Sequence, residues 1–133
     1  MIEFYCPNIN LMIGETFVKI VASEKEMIFE SQNGNQYIFF HDQDCCEHVY
    51  IEDIIGDLSD LENSPLLMAE EIIEKGDDTD DWNSSTWTFY KLMTTKGELF
   101  LRWCGESNGY YSEDVSIMYT ELDGSNHHYN KYC

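Results

Sequence analysis

Hydrophobic and polar residues alternate with a period of two along most of the chain, and this spacing predicts β-strands. The predicted strands are short runs rich in β-branched and aromatic residues. They span residues 16–22, 26–31, 36–41, 48–54, 86–94, 98–104 and 115–122. We therefore predict a mainly β fold of the α+β class, with an antiparallel sheet or a partly open barrel and one or two short helices. The 133 residues are expected to form a single domain, 1–133.

Turn signals separate the predicted strands. Asn33-Gly34 lies between two of them and predicts a hairpin, since this pair is suited to the positive φ angles of a tight turn. Residues 57–61 predict one helical turn, with the Asp57 side chain accepting from the first amides. Residues 66–74 fit either a helix, because Ser64-Pro65 is a good helix start, or a strand.

Two polar segments are predicted to lie outside the regular structure. Residues 76–85 contain four Asp and predict a solvated acidic loop, because the Gly and distal Glu of an EF-hand calcium loop are missing. Residues 123–133 are predicted to form a polar tail.

Charge and cysteine content narrow the classes of function. The chain has 7 Lys+Arg and 26 Asp+Glu, a net charge of −19, which argues against a nucleic-acid polymer or an anionic membrane as partner. Hydrophobic residues make up 43% of the chain, which argues against disorder. The five cysteines are odd in number, and adjacent Cys45 and Cys46 have poor geometry for pairing with each other. No signal-peptide pattern begins the sequence, so a reduced protein of the cytoplasm is expected.

Arg102 is the only arginine, and it lies inside a predicted strand. A two-residue turn at Lys96-Gly97 places Lys91 opposite Arg102, whereas a four-residue loop places Phe89 there. Either register gives one sheet face the same set of residues. That set is Trp87, Phe89, Lys91, Phe100, Arg102 and Cys104. The opposite face is predicted to be core and holds Tyr90, Leu92, Leu99, Leu101 and Trp103.

This face has the chemistry that a nucleotide requires. Aromatic rings can stack on a base, and a planar guanidinium can contact a phosphate through two hydrogen bonds. Two cations that face each other across strands also favour an anion between them. The alternative is that Arg102 only offsets part of the carboxylate excess.

The strand that carries Arg102 leads into the sequence GESNGYYS, residues 105–112. Its glycines allow backbone amides to approach an anion, and it is not a P-loop because no Gly-Lys-Ser/Thr follows. The candidate polar contacts to a ligand are Ser107, Asn108, Gly109 and Tyr110.

Residues 41–48 hold two His, two Cys and three carboxylates. Zinc is disfavoured, because there is no C-x-x-C pair and no second Cys/His cluster, and no metal or other cofactor is predicted. His41, Asp44 or Glu47 could act as an acid or base in hydrolysis. We favour a linker between strands that lines the rim of a pocket.

Three segments together resemble a known family. They are HDQDCCEHVYIEDIIGDLSDL, SPLLMAEE and SSTWTFYKLMTTKGELFLRWCGESNGYYSEDV. In these segments the chain resembles a family of small phage and bacterial proteins that includes the Thoeris anti-defence proteins, among them those of the first type. The resemblance extends over about residues 16–119.

The resemblance implies a sponge rather than an enzyme. Such proteins bind glycocyclic ADP-ribose, the signal made by the TIR-domain sensor of Thoeris, and hold it intact so that the NAD-degrading effector stays off. It further implies homodimers that build a hexamer, pockets at protomer junctions and, in some members, a second site for cyclic oligonucleotides. The resemblance implies that Arg102 contacts phosphate and that Phe89 packs against the base or ribose. It also implies that Asn108 and its neighbours contact polar groups of the ligand. Two alternatives stay open: a hydrolase of a cyclic nucleotide that uses residues 41–48, and an acidic mimic of nucleic acid that inhibits a protein.

Overall fold

The structure, a computed structural model, describes residues 4–5, 9–76, 84–122 and 128–129. Most of the predicted acidic loop, residues 77–83, and most of the predicted tail lie outside the described residues, as do Cys6 and Cys133. The strands are β1 (Phe4–Tyr5), β2 (Phe17–Ala22), β3 (Glu26–Ser31), β4 (Gln36–Phe40), β5 (His48–Ile55), β6 (Met68–Lys75), β7 (Ser84–Met93), β8 (Glu98–Ser107), β9 (Ser116–Leu122) and β10 (His128–Tyr129).

These strands form two antiparallel sheets, as the period-two pattern predicts. The first sheet has the order β1-β9-β4-β3-β2, and β10 pairs with β9. The second has the order β5-β8-β7-β6. The predicted mainly β class is therefore confirmed, in the form of two open sheets rather than a barrel within the described residues.

The predicted hairpin joins β3 to β4. Gly34 has φ of 86°, a conformation that glycine adopts without steric penalty. The Ser31 amide donates to the Asn35 carbonyl at 2.8 Å and closes the turn. The Asn-Gly signal therefore predicted the hairpin correctly, but of its two residues only Gly34 has the expected positive φ.

The ambiguous segment at residues 66–74 is a strand. Met68–Lys75 pairs with β7 along its whole length, from Met68 opposite Met93 to Lys75 opposite Thr86. The Leu67 amide donates to the Met93 carbonyl at 2.8 Å and starts this pairing. A cross-strand ladder thus overrides the modest helix propensity of the sequence.

Two short 3₁₀ helices, Ile9–Met12 and Leu58–Leu61, complete the fold. The second occupies the predicted helical turn, but the prediction of a side-chain cap was wrong: Asp57 is the N-cap residue and makes no side-chain cap hydrogen bond. Its backbone carbonyl instead accepts from the Asp60 amide at 3.1 Å, so one tight turn holds without the carboxylate. The described part of the chain contains no helix with the length and apolar character to cross a membrane.

The core lies between the inner faces of the two sheets. Phe39 of β4 meets Tyr90 of β7 edge to face, with ring centroids 4.8 Å apart, and Phe29 packs beside Phe39 at 5.3 Å. The residues predicted to be core on β7 and β8 are all buried. They are Tyr90, Leu92, Leu99, Leu101 and Trp103. Their burial leaves the other face of the second sheet, which carries the candidate residues, on the outside.

Candidate functional site

The loop between β7 and β8 selects one of the two predicted registers. Met93 pairs with Glu98, so residues 94–97 form a four-residue loop, in which the Thr94 amide donates to the Gly97 carbonyl at 2.9 Å. Phe89 consequently lies opposite Arg102, and Lys91 lies opposite Phe100. The like-charged pair of the two-residue turn does not form.

The outer face of the second sheet brings together the aromatic and cationic residues predicted to share it. The guanidinium carbon of Arg102 lies 5.8 Å from the centre of the Trp87 ring, within range of a cation–π interaction. The rings of Phe89 and Phe100 lie 5.6 Å apart and tilt by 30°. These side chains are half-buried, so part of this aromatic surface remains accessible.

Arg102 has two acidic partners, as the alternative interpretation from its sequence expects, although that interpretation did not identify which carboxylates they are. Its Nε donates to Glu52 Oε2, and one Nη lies 3.7 Å from Asp53 Oδ2. The hydrogen bond to Glu52 raises the pKa of the guanidinium; burial opposes this rise, and the charges of Glu52 and Asp53 add to it. The only signal in the sequence was the adjacent acidic pair at the centre of a strand.

A β-bulge places both carboxylates beside the arginine. Ile51 pairs with Trp103 and Asp53 pairs with Arg102, so Glu52 is the extra residue on β5. A bulge sets two residues of one strand against one of its neighbour, which is why consecutive side chains reach the same guanidinium.

Lys91 also has an acidic partner on this face. Its Nζ lies 3.6 Å from Glu98 Oε1, and the two side chains are 37% and 48% exposed. A pair this exposed contributes little to folding, about 0.2–1 kcal/mol at most. Lys91 is therefore held only loosely.

The loop that carries Ser107, Asn108, Gly109 and Tyr110 does not lie beside Arg102 in the same chain. Arg102 pairs with Phe89 and Ser107 pairs with Ser84, five positions further along the strand. At about 3.3 Å per residue these positions are about 17 Å apart. One chain therefore presents two separate groups of candidate residues.

Within this loop the polar groups bond to one another. The Gly109 amide donates to Ser107 Oγ at 3.0 Å, and the Tyr110 amide donates to Asn108 Oδ1 at 2.9 Å. An anion would have to replace these bonds to use the two amides. Tyr110 is 84% exposed and offers an open aromatic surface.

A buried carboxylate, Glu113, fixes the base of this loop and was also missed from the sequence. Its Oε1 accepts from Thr86 Oγ1 at 2.7 Å, and its Oε2 accepts from Ser107 Oγ. Lys75 Nζ in turn donates to Thr86 Oγ1 at 2.9 Å. A Cβ at Gly105 would lie 2.7 Å from the Glu113 carbonyl oxygen, so only glycine permits this close approach.

Residues 41–47 link the two sheets and line a cavity, as predicted for this segment. The cavity has a volume of about 580 Å³ and is lined by residues 41–44 with Ser112, Asp114 and Ser116. Both ring nitrogens of His41 are engaged, Nδ1 with the Asp114 carbonyl and Nε2 with Glu47 Oε2, each at 2.7 Å. Glu47 also accepts from the Asp44 amide at 2.9 Å and the Cys45 amide at 2.8 Å.

The side chains of His41 and Glu47 are 4% and 0% exposed. Because this pair is buried and hydrogen-bonded, it has a structural role in the linker. Burial raises the pKa of the Glu47 carboxyl, but the hydrogen bonds from His41, Asp44 and Cys45 outweigh burial and lower it to about 2. Among the described residues, no three His, Cys, Asp or Glu side chains converge in a group able to hold a metal ion.

The cysteines differ in part from expectation. Cys45 and Cys46 form a disulfide with each other despite the poor geometry expected of adjacent cysteines, so the expectation of a reduced protein does not hold for this pair. Cys104 is a free thiol, and burial raises its pKa.

The fold and the site define a class: a two-sheet antiparallel β protein whose outer face presents one arginine among aromatic rings. The chain belongs to the family described as Domain of unknown function (DUF7448), whose profile matches residues 10–117, about four fifths of the chain. Neither a curated protein nor a solved structure gives a significant match.

Proposed function

We propose that the protein is a phage-encoded anti-defence sponge that binds glycocyclic ADP-ribose and holds it intact in the host cytoplasm, so that the Thoeris effector is not activated. The observation that carries the proposal is the placement of the sole arginine, opposite Phe89 and near the Trp87 ring, on the outer face of the second sheet. The ligand class follows from the resemblance described above, and the geometry of this face is compatible with it.

The chemistry of the face suits a small phosphorylated ligand with an aromatic base. Trp87 and Phe89 offer π surfaces at half-buried positions, and Arg102 offers a guanidinium for phosphate. The net charge of −19 repels an anion at long range, but salt screens this repulsion beyond about 8 Å. Local donors therefore decide the affinity, and slow release rather than steering would give strong binding.

The separation of the two candidate groups supports binding between copies of the chain. The backbone positions of Arg102 and Ser107 are about 17 Å apart along β8, and Asn108 follows Ser107, so one small ligand does not readily contact Arg102 and Asn108 of the same chain. We infer that the loop at residues 107–110 of a second copy completes the site, in a homodimer that builds a hexamer. Ligand affinity should accordingly fall when the oligomer is diluted into monomers.

Calorimetric titration of glycocyclic ADP-ribose tests this proposal. To compete with an effector, the protein needs a Kd near 1 nM, about −12 kcal/mol. Arg102→Gln should weaken binding at least about tenfold, because a charge-assisted contact is lost. Lys25→Gln is the matched control: it removes one positive charge from an exposed position outside the second sheet and should leave the Kd unchanged.

Two results would contradict the sponge. Loss of more than one equivalent of ligand per site would indicate hydrolysis, and His41→Ala would then identify the cluster at residues 41–48 as its source. Full anti-defence activity in Arg102→Gln would instead indicate an acidic inhibitor of a protein partner. The engaged ring nitrogens of His41 give no support to hydrolysis.

A further inference from the structure

We propose that Glu52 and Asp53 act as a built-in competitor for Arg102, which the phosphates of a ligand must displace before the guanidinium can bind them. This inference rests on the proposed function, because it assumes that Arg102 is the phosphate contact. It adds two specificity-determining residues to that site and explains how an acidic protein can hold its sole arginine ready without binding every small anion.

The backbone is arranged to deliver two carboxylates to one cation. A regular strand alternates its side chains between the two faces, so it would place only one of two consecutive residues beside Arg102. The bulge at Glu52 breaks this alternation, and both carboxylates reach the guanidinium. An ordinary cross-strand ion pair has one carboxylate, whereas here two carboxylates share one guanidinium.

The local charge sets a threshold for the ligand. Arg102 contributes one positive charge and its partners contribute two negative charges, so the group carries −1. A monoanion that replaces one carboxylate leaves the net charge around Arg102 unchanged, so it gains little binding energy. A diphosphate brings a second negative charge, together with oxygens placed for the planar fork of the guanidinium, and can replace both carboxylates.

The exposure of the three groups allows such an exchange. The side chains of Arg102, Glu52 and Asp53 are 36%, 33% and 46% exposed. Released carboxylates would therefore return to water rather than be left buried without a partner, which is the costly case. Asp53 lies 3.7 Å from the guanidinium, too far for a direct hydrogen bond, so it is the easier of the two to displace.

Titration of glycocyclic ADP-ribose into Glu52→Gln/Asp53→Asn tests the competitor. The double variant should bind about 2- to 30-fold more tightly than the wild type, the range expected from two exposed ion pairs. The control is Glu26→Gln/Glu30→Gln, which makes the same change in net charge on β3 of the other sheet and should leave the Kd unchanged. Thermal unfolding of each variant confirms that it is folded.

The outcomes separate the two proposals. Suppose that the wild type binds the ligand, Arg102→Gln does not, and the double variant binds no more tightly than the wild type. The competitor proposal is then wrong, and the sponge proposal stands. If neither the wild type nor the double variant binds, both proposals fail. Equal tightening in the Glu26/Glu30 control would assign the effect to net charge and overturn the competitor.

A direct readout is available because the chain has one arginine, so a ¹⁵N spectrum contains a single arginine Nε–H signal. Glu52→Gln should shift this signal in the free protein. The ligand should then move the wild-type and variant signals to the same position, since the carboxylate has left in both. A wild-type signal that stays fixed on saturation would show that Glu52 is not displaced.

Discussion

Glu113 anchors the loop at residues 107–110, and its removal should lower the free energy of unfolding by an amount that can be worked out. Glu113→Ala deletes a carboxylate that is 5% exposed and accepts from two hydroxyls, those of Thr86 and Ser107. A hydrogen bond to a charged group contributes about 1.5–3 kcal/mol. Ser107 is half-buried and can turn to water, so part of this energy is recovered. The Thr86 hydroxyl is buried and loses its acceptor, because the ammonium of Lys75 can only donate to it. We expect a net loss of about 2–4 kcal/mol in the free energy of unfolding.

Equilibrium unfolding in urea at pH 7 measures this loss. Asp114→Ala is the matched control, since it removes the same charge from the next residue at an exposed position, and it should change stability by less than about 0.5 kcal/mol. In ¹⁵N spectra, Glu113→Ala should shift the amides of Gly109 and Tyr110, whose loop it anchors. A Glu113→Ala loss no larger than that of Asp114→Ala would refute the argument.

Other predictions concern the core, the linker and the close backbone contact. The folded-state pKa of Glu47 lies below its ordinary value of 4.5, so its stabilisation is present above pH 4.5 and is lost as the pH falls toward 2. In urea titrations, the stability difference between wild type and Glu47→Gln should therefore shrink across that interval, and a constant difference contradicts this. Gly105→Ala should cost about 1–3 kcal/mol by thermal denaturation, because its Cβ meets backbone, whereas Gly97→Ala meets only the Asp60 side chain and should cost less. Phe39→Ala should cost about 3–5 kcal/mol in the same assay, since it opens the contact between the sheets; a loss below 1 kcal/mol would contradict this.

The strands could be predicted because alternation is local. The residues of β7 and β8 alternate between the two faces of the sheet as their period requires, and Trp87, Phe89 and Arg102 therefore share a face. Cys104, which was predicted on the same outer face, is nevertheless buried. The register could not be chosen in advance, because Lys96-Gly97 suits loops of both lengths.

The partners of Arg102 and Glu113 could not be predicted for a different reason. The acidic pair at residues 52–53 looks like part of a regular strand, and only its pairing with β8 reveals the bulge. Glu113 meets Thr86, which is 27 residues away in the sequence, and periodicity carries no information about such a contact.

The central claim is that the ligand is held and not consumed. The most direct test is to purify the protein from cells that make the TIR-derived signal, unfold it by heat, and identify the released small molecules by mass spectrometry. The account predicts intact glycocyclic ADP-ribose, at about one molecule per site, and greatly reduced recovery from Arg102→Gln. Release of a degraded product, or of no nucleotide at all, would contradict it.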